Sequence, residues 1–479
     1  DFTFSPRYYA DKSFLLQNEY RQELRNSSIL TDFSFLVGEA GTKGHLFYNQ
    51  TGEFNQDTKY ELNLQSVRGD KYLKTYNLLD TSPIIKDDSV LLSDLNVNWN
   101  FDDSKLDLSF KMYEDLSRND DRYQYIFPEY NFAKNINIPE NYNGSFIFNS
   151  EGYNKNYNSN IFESVLINNF LFSSDDFINS RGVLTNFNIL LKNSNSYADN
   201  SNNLPENGKY NLYEILKIDL GYPLQNQLGD YTNYLRPKAS FIYSPNGNTD
   251  ISTKNLTINY DNAFGLNRIS EDTQVEGGQS LNLGFEFQKD RVSYNNKNLS
   301  EEIFKLRVGN IIKTKEDYKL PKKSKLNKTR SDIFGDINFK LNEAINLGYQ
   351  FSYDRDLEYS NMDSINIEFE VNNLITNFNY YAEDHDFGDS ENISNTTTYN
   401  FNDENRLAFK TTKNLKDDFT EYYKLVYEYL TDCLSFNLNY NKSFYKDGSL
   451  EPDETISFLI KIIPFTQLGV ENVQNLIDK

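Results

Sequence analysis

Side chains able to carry acid–base, nucleophilic or metal chemistry are scarce, with two histidines and a single cysteine in 479 residues. His45 opens the alternating run HLFYNQ and reads as a strand position. His385 sits in AEDHDFGD, where Glu383, Asp384, Asp386 and Asp389 could offer oxygen donors to a hard cation, although adjacent carboxylates in a polar stretch are ordinarily just solvated. A serine hydrolase needs a histidine near a serine, and no nucleophile-elbow spacing occurs. Phosphate-cradling glycine loops and Cys/His metal patterns do not occur either. The sequence therefore points away from catalysis, and no metal or cofactor is expected. LPKKSKLNKTR, residues 320–330, is the basic cluster of an acidic chain. It reads as a solvated loop or as a contact for anionic headgroups or lipid-linked phosphates. Cys433 has no partner in the sequence, so no disulfide forms within the chain.

The elements that must position these residues are strands. In the closing stretch, Leu434, Phe436, Leu438 and Tyr440 share one face and Ser435, Asn437, Asn439 and Asn441 the other. Ile456, Phe458, Ile460 and Ile462 then oppose Ser457, Leu459 and Lys461, and KDGSLEPDE, with Asp447, Gly448 and Pro452, makes the polar connection of a hairpin. The run from Ile456 to Ile462 is expected to be the last strand, which must be paired, covered or blunted. At the other end DFTFSPRYY puts Phe2, Phe4, Pro6 and Tyr8 on one parity. Pro6 donates no hydrogen bond, so its strand belongs at an edge or a weak seam.

Between these ends, alternating runs recur across the chain, the clearest being 94–115 with its tight FDDSK turn. FKLNEAINL and YLTDCLS read as further tight turns, and Asn246-Gly247 as a hairpin turn. Residues 117–142, 149–160 and 383–398 read as long polar loops. Short turns alternating with long loops are the layout of an outer-membrane-type barrel, and at about 10 residues per spanning strand this length suits roughly 24 to 28 strands. The expected fold is all-β, a large closed antiparallel transmembrane barrel. A soluble sandwich or solenoid alternates in the same way. No linker divides the chain, so residues 1–479 are expected to form one domain.

Composition narrows the partners. With 70 acidic against 48 basic residues the net charge is −22, which repels phosphate backbones and sets nucleic acid aside. A mean hydropathy of −0.70 and no apolar run near 18 residues exclude helical spans. Barrel strands, whose alternation averages out, are not excluded. Aromatics make up 15% of the chain, with 36 Tyr and 36 Phe against one Trp. This suits aromatic girdles at two membrane interfaces, and an AT-rich genome would also raise it. The chain opens on Asp1 without Met, as expected of a mature or trimmed piece.

Several stretches, in a shared order from residue 2 to residue 469, resemble the barrel domain of the lipopolysaccharide-assembly family LptD, also called organic-solvent-tolerance protein. They are FSPRYY with LLQNEYRQEL, LRPKASFIYSP, YDNAFGLNRISEDTQVEGGQSLNLGFEF, and DCLSFNLNYNKSFYKDGSLEPDETISFLIKI with QLG. The resemblance implies a closed barrel of about 26 strands in a Gram-negative outer membrane, following an amino-terminal periplasmic jelly roll. It implies lipopolysaccharide as cargo, an LptE-like lipoprotein plug in the lumen, outer-membrane lipids around it, and a periplasmic lipopolysaccharide-bridge protein reached through the jelly roll. By the same resemblance a lateral gate lies between the first and last strands, at Phe2, Phe4, Pro6, Tyr8, Ile456, Phe458, Ile460 and Ile462. Pro6 matches a seam-loosening proline of the family, whereas the family's second proline is replaced at or near Val37. Cys433 matches one member of a cysteine pair that bonds the amino-terminal domain, and Leu434 stands where its neighbour would be. A porin-like or nutrient-uptake barrel, or a secreted β-rich adhesin, are the alternative readings.

Overall fold

The computed structural model describes the chain apart from residues 9–13, 38–41, 77, 140–141, 205, 270–272, 293–299, 445–453, 463–465 and 470–479. Among the described residues 27 strands and two four-residue helices are found. In chain order the strands are β1 (Phe2–Tyr8), β2 (Phe14–Glu23), β3 (Ser27–Val37), β4 (Lys43–Asn55), β5 (Thr58–Arg68), β6 (Val90–Asn100), β7 (Ser104–Asp115), β8 (Tyr123–Ile136), β9 (Gly144–Tyr157) and β10 (Ile161–Ser174). There follow β11 (Phe177–Ile178), β12 (Leu184–Asp199), β13 (Lys209–Gly221), β14 (Leu224–Leu228), β15 (Tyr231–Ser244), β16 (Gly278–Val292), β17 (Ser300–Lys313), β18 (Ile333–Asn342) and β19 (Ile345–Tyr353). The series ends with β20 (Ser360–Val371), β21 (Leu374–Glu383), β22 (Ser390–Asn400), β23 (Asn405–Asn414), β24 (Phe419–Leu430), β25 (Leu434–Ser443), β26 (Glu454–Ile462) and β27 (Thr466–Gly469). No helix among them is long and apolar enough to cross a membrane.

The chain divides into two compact units, 1–174 with 189–214 and 272–274, and 175–188 with 215–271 and 275–479. Within the first, β1 to β10 pair antiparallel with their sequence neighbours, starting from the seven-residue register in which Pro6 faces Leu16. Within the second, β15 to β27 do the same. β13 and β14 pair with β15 in one continuous register, from Gly221 opposite Lys238 to Leu224 opposite Leu235, interrupted where Pro223 has no amide to give.

Each unit carries its apolar core not between layers but under one insert. Residues 69–89, with helix α1 (Tyr72–Thr75), seat Tyr72, Leu73 and Leu78 on Leu15, Leu36 and Phe47 of β2, β3 and β4. In the second unit residues 245–269, from the 245–277 insert between β15 and β16, with helix α2 (Tyr260–Ala263), pack Ile258, Phe264 and Ile269 with Ile311, Leu320, Leu326 and Phe334. Gly284 makes room for this: a Cβ there would meet the Phe264 ring at 2.8 Å and the Val308 carbonyl at 2.8 Å.

The alternation is inverted relative to a water-soluble sheet. On β16, Leu281, Leu283 and Phe285 are 38%, 42% and 37% exposed, while on the other face Ser280 and Asn282, covered by Arg268 of the insert, are 4% and 0%. On β13, Lys217 and Asp219 are buried and ion-paired at 2.8 Å while Leu220 beside them is exposed. Placing such leucines and phenylalanines in hydrocarbon rather than water is worth about 1.5–3 kcal/mol each. Leu283→Lys is accordingly expected to destabilise the bilayer-inserted protein by about 2–4 kcal/mol, read from urea unfolding in liposomes. Asn379→Ser, at an exposed polar position of β21, should not show this dependence on lipid.

Three sequence expectations are corrected. Residues 117–142 and 149–160 are not long loops but carry β8 and β9, and β9 pairs with β10 over fourteen positions. Residues 383–398 contain β22, paired with β21 over ten positions. Asn246-Gly247 is not a hairpin turn, since residues 245–277 intervene between the paired strands β15 and β16. The turn residues Asp447, Gly448 and Pro452 lie outside the described residues.

Candidate functional site

Phe2 and Phe4 are each 59% exposed and Pro6 is exposed on the same face of β1, with Tyr8 following at that parity opposite Phe14. On β26, Ile456 is 72% and Phe458 56% exposed, and Ile460 is half-buried. Its ladder to β25 runs from Lys442 opposite Glu454 to Leu434 opposite Ile462. The expectation that Ile456 to Ile462 is the last strand is corrected by β27, which turns back to pair Thr466 with Ile462 and Gly469 with Leu459. β27 thus covers one edge of β26 from Leu459 to Ile462, and Glu454 to Phe458 keep that edge free of it.

His45 is a strand residue, but a buried one in a polar network that sequence spacing did not disclose. Its Nδ1 lies 2.6 Å from Ser34 Oγ, which is 2.6 Å from the Tyr72 hydroxyl of the insert. Its Nε2 is 3.2 Å from Asp32 Oδ2, without hydrogen-bond geometry, and both side chains are sealed from solvent. Gln17 Nε2 donates to both Asp32 oxygens at 3.1 and 3.2 Å. Gln17 Oε1 accepts from Arg7 Nη2 at 2.5 Å and from Thr81 Oγ1 at 3.0 Å. Serine, histidine and aspartate therefore meet here, yet Ser34 is buried and its hydroxyl is held by both His45 and Tyr72. The arrangement ties strands to the insert rather than presenting a nucleophile. The signal in the sequence was the apolar pattern of YLKTYNLL, which marks residues 72–79 as a segment that packs.

In the second unit the GLNRIS stretch finds its chemistry. Arg268 donates through Nε and Nη2 to the two oxygens of Glu276 at 2.7 and 2.8 Å, through Nη1 to Asn282 at 2.7 Å and through Nη2 to Ser280 at 2.9 Å. Lys313 Nζ adds a bond to Glu276 at 2.9 Å and one to the Leu326 carbonyl at 3.0 Å. Burial acts to raise the Glu276 carboxyl, but Arg268 and then Lys313 overcome it and hold it below the usual carboxylate range. The basic stretch at 320–330 is not a solvated loop: Leu320, Ser324, Lys325 and Leu326 are buried, Lys323 pairs with Glu383 and Lys325 with Asp386, each at 2.6 Å. The hydrogen bond from Lys325 keeps Asp386 below its ordinary value.

The remaining candidates stay apart. His385 stacks on Tyr359 at 4.1 Å between ring centroids, and no group of three metal-capable side chains occurs among the described residues. Cys433 is an exposed free thiol in the β24–β25 turn.

The sequence matches the model of the LptD family, LPS transport system D, over residues 41–408, which is most of the chain. No curated protein sequence matches it. Among solved structures, a mutant of the Rhodopseudomonas blastica porin is 11% identical, covering 62% of this chain and 90% of its own, with a TM-score of 0.24. The siderophore receptor PirA of Pseudomonas aeruginosa is 10% identical, covering 95% of this chain and 77% of its own, with a TM-score of 0.36. Likenesses of that size do not bear on the fold.

Proposed function

Because the chain belongs to the LPS transport system D family, we propose that residues 1–479 form one closed barrel that inserts lipopolysaccharide into the outer leaflet of the Gram-negative outer membrane. The observation that carries the membrane part is the exposed apolar face, with Leu281, Leu283 and Phe285 exposed at alternate positions of β16. A sheet unpaired at its edges in hydrocarbon leaves backbone groups unsatisfied at several kcal/mol each, so closure follows from insertion. A lipopolysaccharide molecule makes two demands, a hydrated path for its sugars and a lipid phase for its acyl chains. The polar row of Asn366, Asn377 and Asn379 across β20 and β21 suits the first. A seam between β1 and the part of β26 that β27 leaves free suits the second, with Phe2, Phe4, Pro6 and Tyr8 on one side and Ile456 and Phe458 on the other. Pro6 takes one donor from the edge of β1, and β27 shortens the edge that β26 can offer.

An LptE-like lipoprotein plug and a periplasmic bridge protein that hands over lipopolysaccharide complete the assembly this reading implies. Cys433, exposed in its turn, is available for a bridge to another domain. The test is depletion of the protein in living cells with assay of surface lipopolysaccharide. Loss of newly made surface lipopolysaccharide, with porins still assembled, is the expected result. Undiminished surface lipopolysaccharide would overturn the reading in favour of a porin-like barrel.

A further inference from the structure

We propose that the 69–89 insert is a latch on the first strand, and that Arg7, Gln17 and Asp32 are positioning residues for the seam. The inference rests on the translocon reading for its consequence, but not for its geometry. Leu15, Leu36 and Phe47 put three buried apolar side chains on successive strands, and the insert seats Tyr72, Leu73 and Leu78 on them. That apolar foot brings two further groups of the insert to β1 and β2. The Tyr76 carbonyl accepts from Arg7 Nη1 at 3.4 Å, and Thr81 meets Gln17 through its hydroxyl at 3.0 Å and its carbonyl at 3.5 Å.

Gln17 is the junction. Its oxygen accepts from Arg7 and Thr81, and its amide donates to Asp32 and to the Thr81 carbonyl. Turning the amide over would aim NH2 at the Arg7 guanidinium and oxygen at the Asp32 carboxylate, so charge on both sides fixes its orientation. Asp32, with no exposed surface, is in turn held beside His45. The chain of contacts therefore runs from the insert through Gln17 to a single side chain of β1.

That side chain stands beside the strand's proline. Arg7 follows Pro6, whose missing amide removes a donor from β1. At the opposite end the Asp1 ammonium donates to the Arg21 carbonyl at 2.7 Å. The first strand is thus tied at both ends, and the tie at Arg7 is the one the insert controls. Lifting the insert removes the Tyr76 and Thr81 partners together and leaves Arg7 to Gln17 alone.

A role limited to core packing would be felt in β2, β3 and β4, where Leu15, Leu36 and Phe47 sit. A positioning role is felt in β1. Hydrogen–deuterium exchange of the full chain in detergent micelles separates the two. Arg7→Met and Gln17→Met are each expected to speed exchange over residues 2–8 by roughly ten- to a hundredfold, with β3 and β4 unchanged. Arg7→Lys, which can still donate to Gln17, should recover part of the protection. Unchanged exchange over residues 2–8 in Arg7→Met would overturn the proposal, and that variant alone decides if Gln17→Met does not fold. Failure of the translocon reading would show in the surface-lipopolysaccharide assay with this exchange pattern intact.

Discussion

Locking the two terminal strands together is expected to abolish delivery of lipopolysaccharide to the cell surface. With the native thiol removed by Cys433→Ser, one cysteine is placed at Phe4 and its partner at Ile456 or Phe458. All three side chains are more than half exposed, so the replacements cost little packing. The partner position avoids Leu459 to Ile462, where β27 already occupies an edge of β26. A disulfide does not open on the timescale of transport, so the effect should be complete in the oxidised fraction rather than graded. Adding reductant to the same cells should restore delivery. Normal delivery by fully oxidised protein would end the lateral-exit mechanism, whatever else the barrel does.

The second large effect is expected at Glu276. Glu276→Gln leaves Arg268 and Lys313 buried without their counter-charge, and breaking a buried pair in this way costs about 3–5 kcal/mol. Because the triad joins the 245–277 insert to β16 and β17, limited proteolysis should cut 245–277 in the variant under conditions that spare the parent. The pH dependence has a definite sign. Glu276 has a folded value below its unfolded one, so its contribution is fully present above the ordinary carboxylate range and is lost as pH falls through the folded value. Protection of the parent insert should therefore fade in acid, and Glu276→Gln should lack that dependence. An acid profile identical in the two proteins would remove Glu276 from the account.

Much of the strand pattern was legible because two-residue periodicity survives whichever face meets lipid. Phe2, Phe4 and Pro6, and Ile456 and Phe458, could be placed on their faces from parity alone. The failures have one physical cause. A sheet that turns one face to lipid needs no apolar residue on the other, so GSFIFNSEGYNKNY and SENISNTTTYN set Asn, Ser and Thr where a soluble strand would set Val or Ile, and they pass for loops. The two inserts were missed for a different reason. Tyr72 and Phe264 find their partners on strands distant in sequence, and no spacing rule announces that Arg268 will reach Glu276 while Lys313 arrives from the next strand. Turn chemistry misled at Asn246-Gly247, since the dipeptide favours a tight reversal but does not compel one when the residues beyond it have a core to join.

The 69–89 insert is continuous at both ends with β5 and β6, and this sets the terms on which anything else can bind the surface it covers. A segment tethered over so short a span faces its site at an effective concentration in the millimolar range. It behaves as an internal competitor that is never diluted and never washed away.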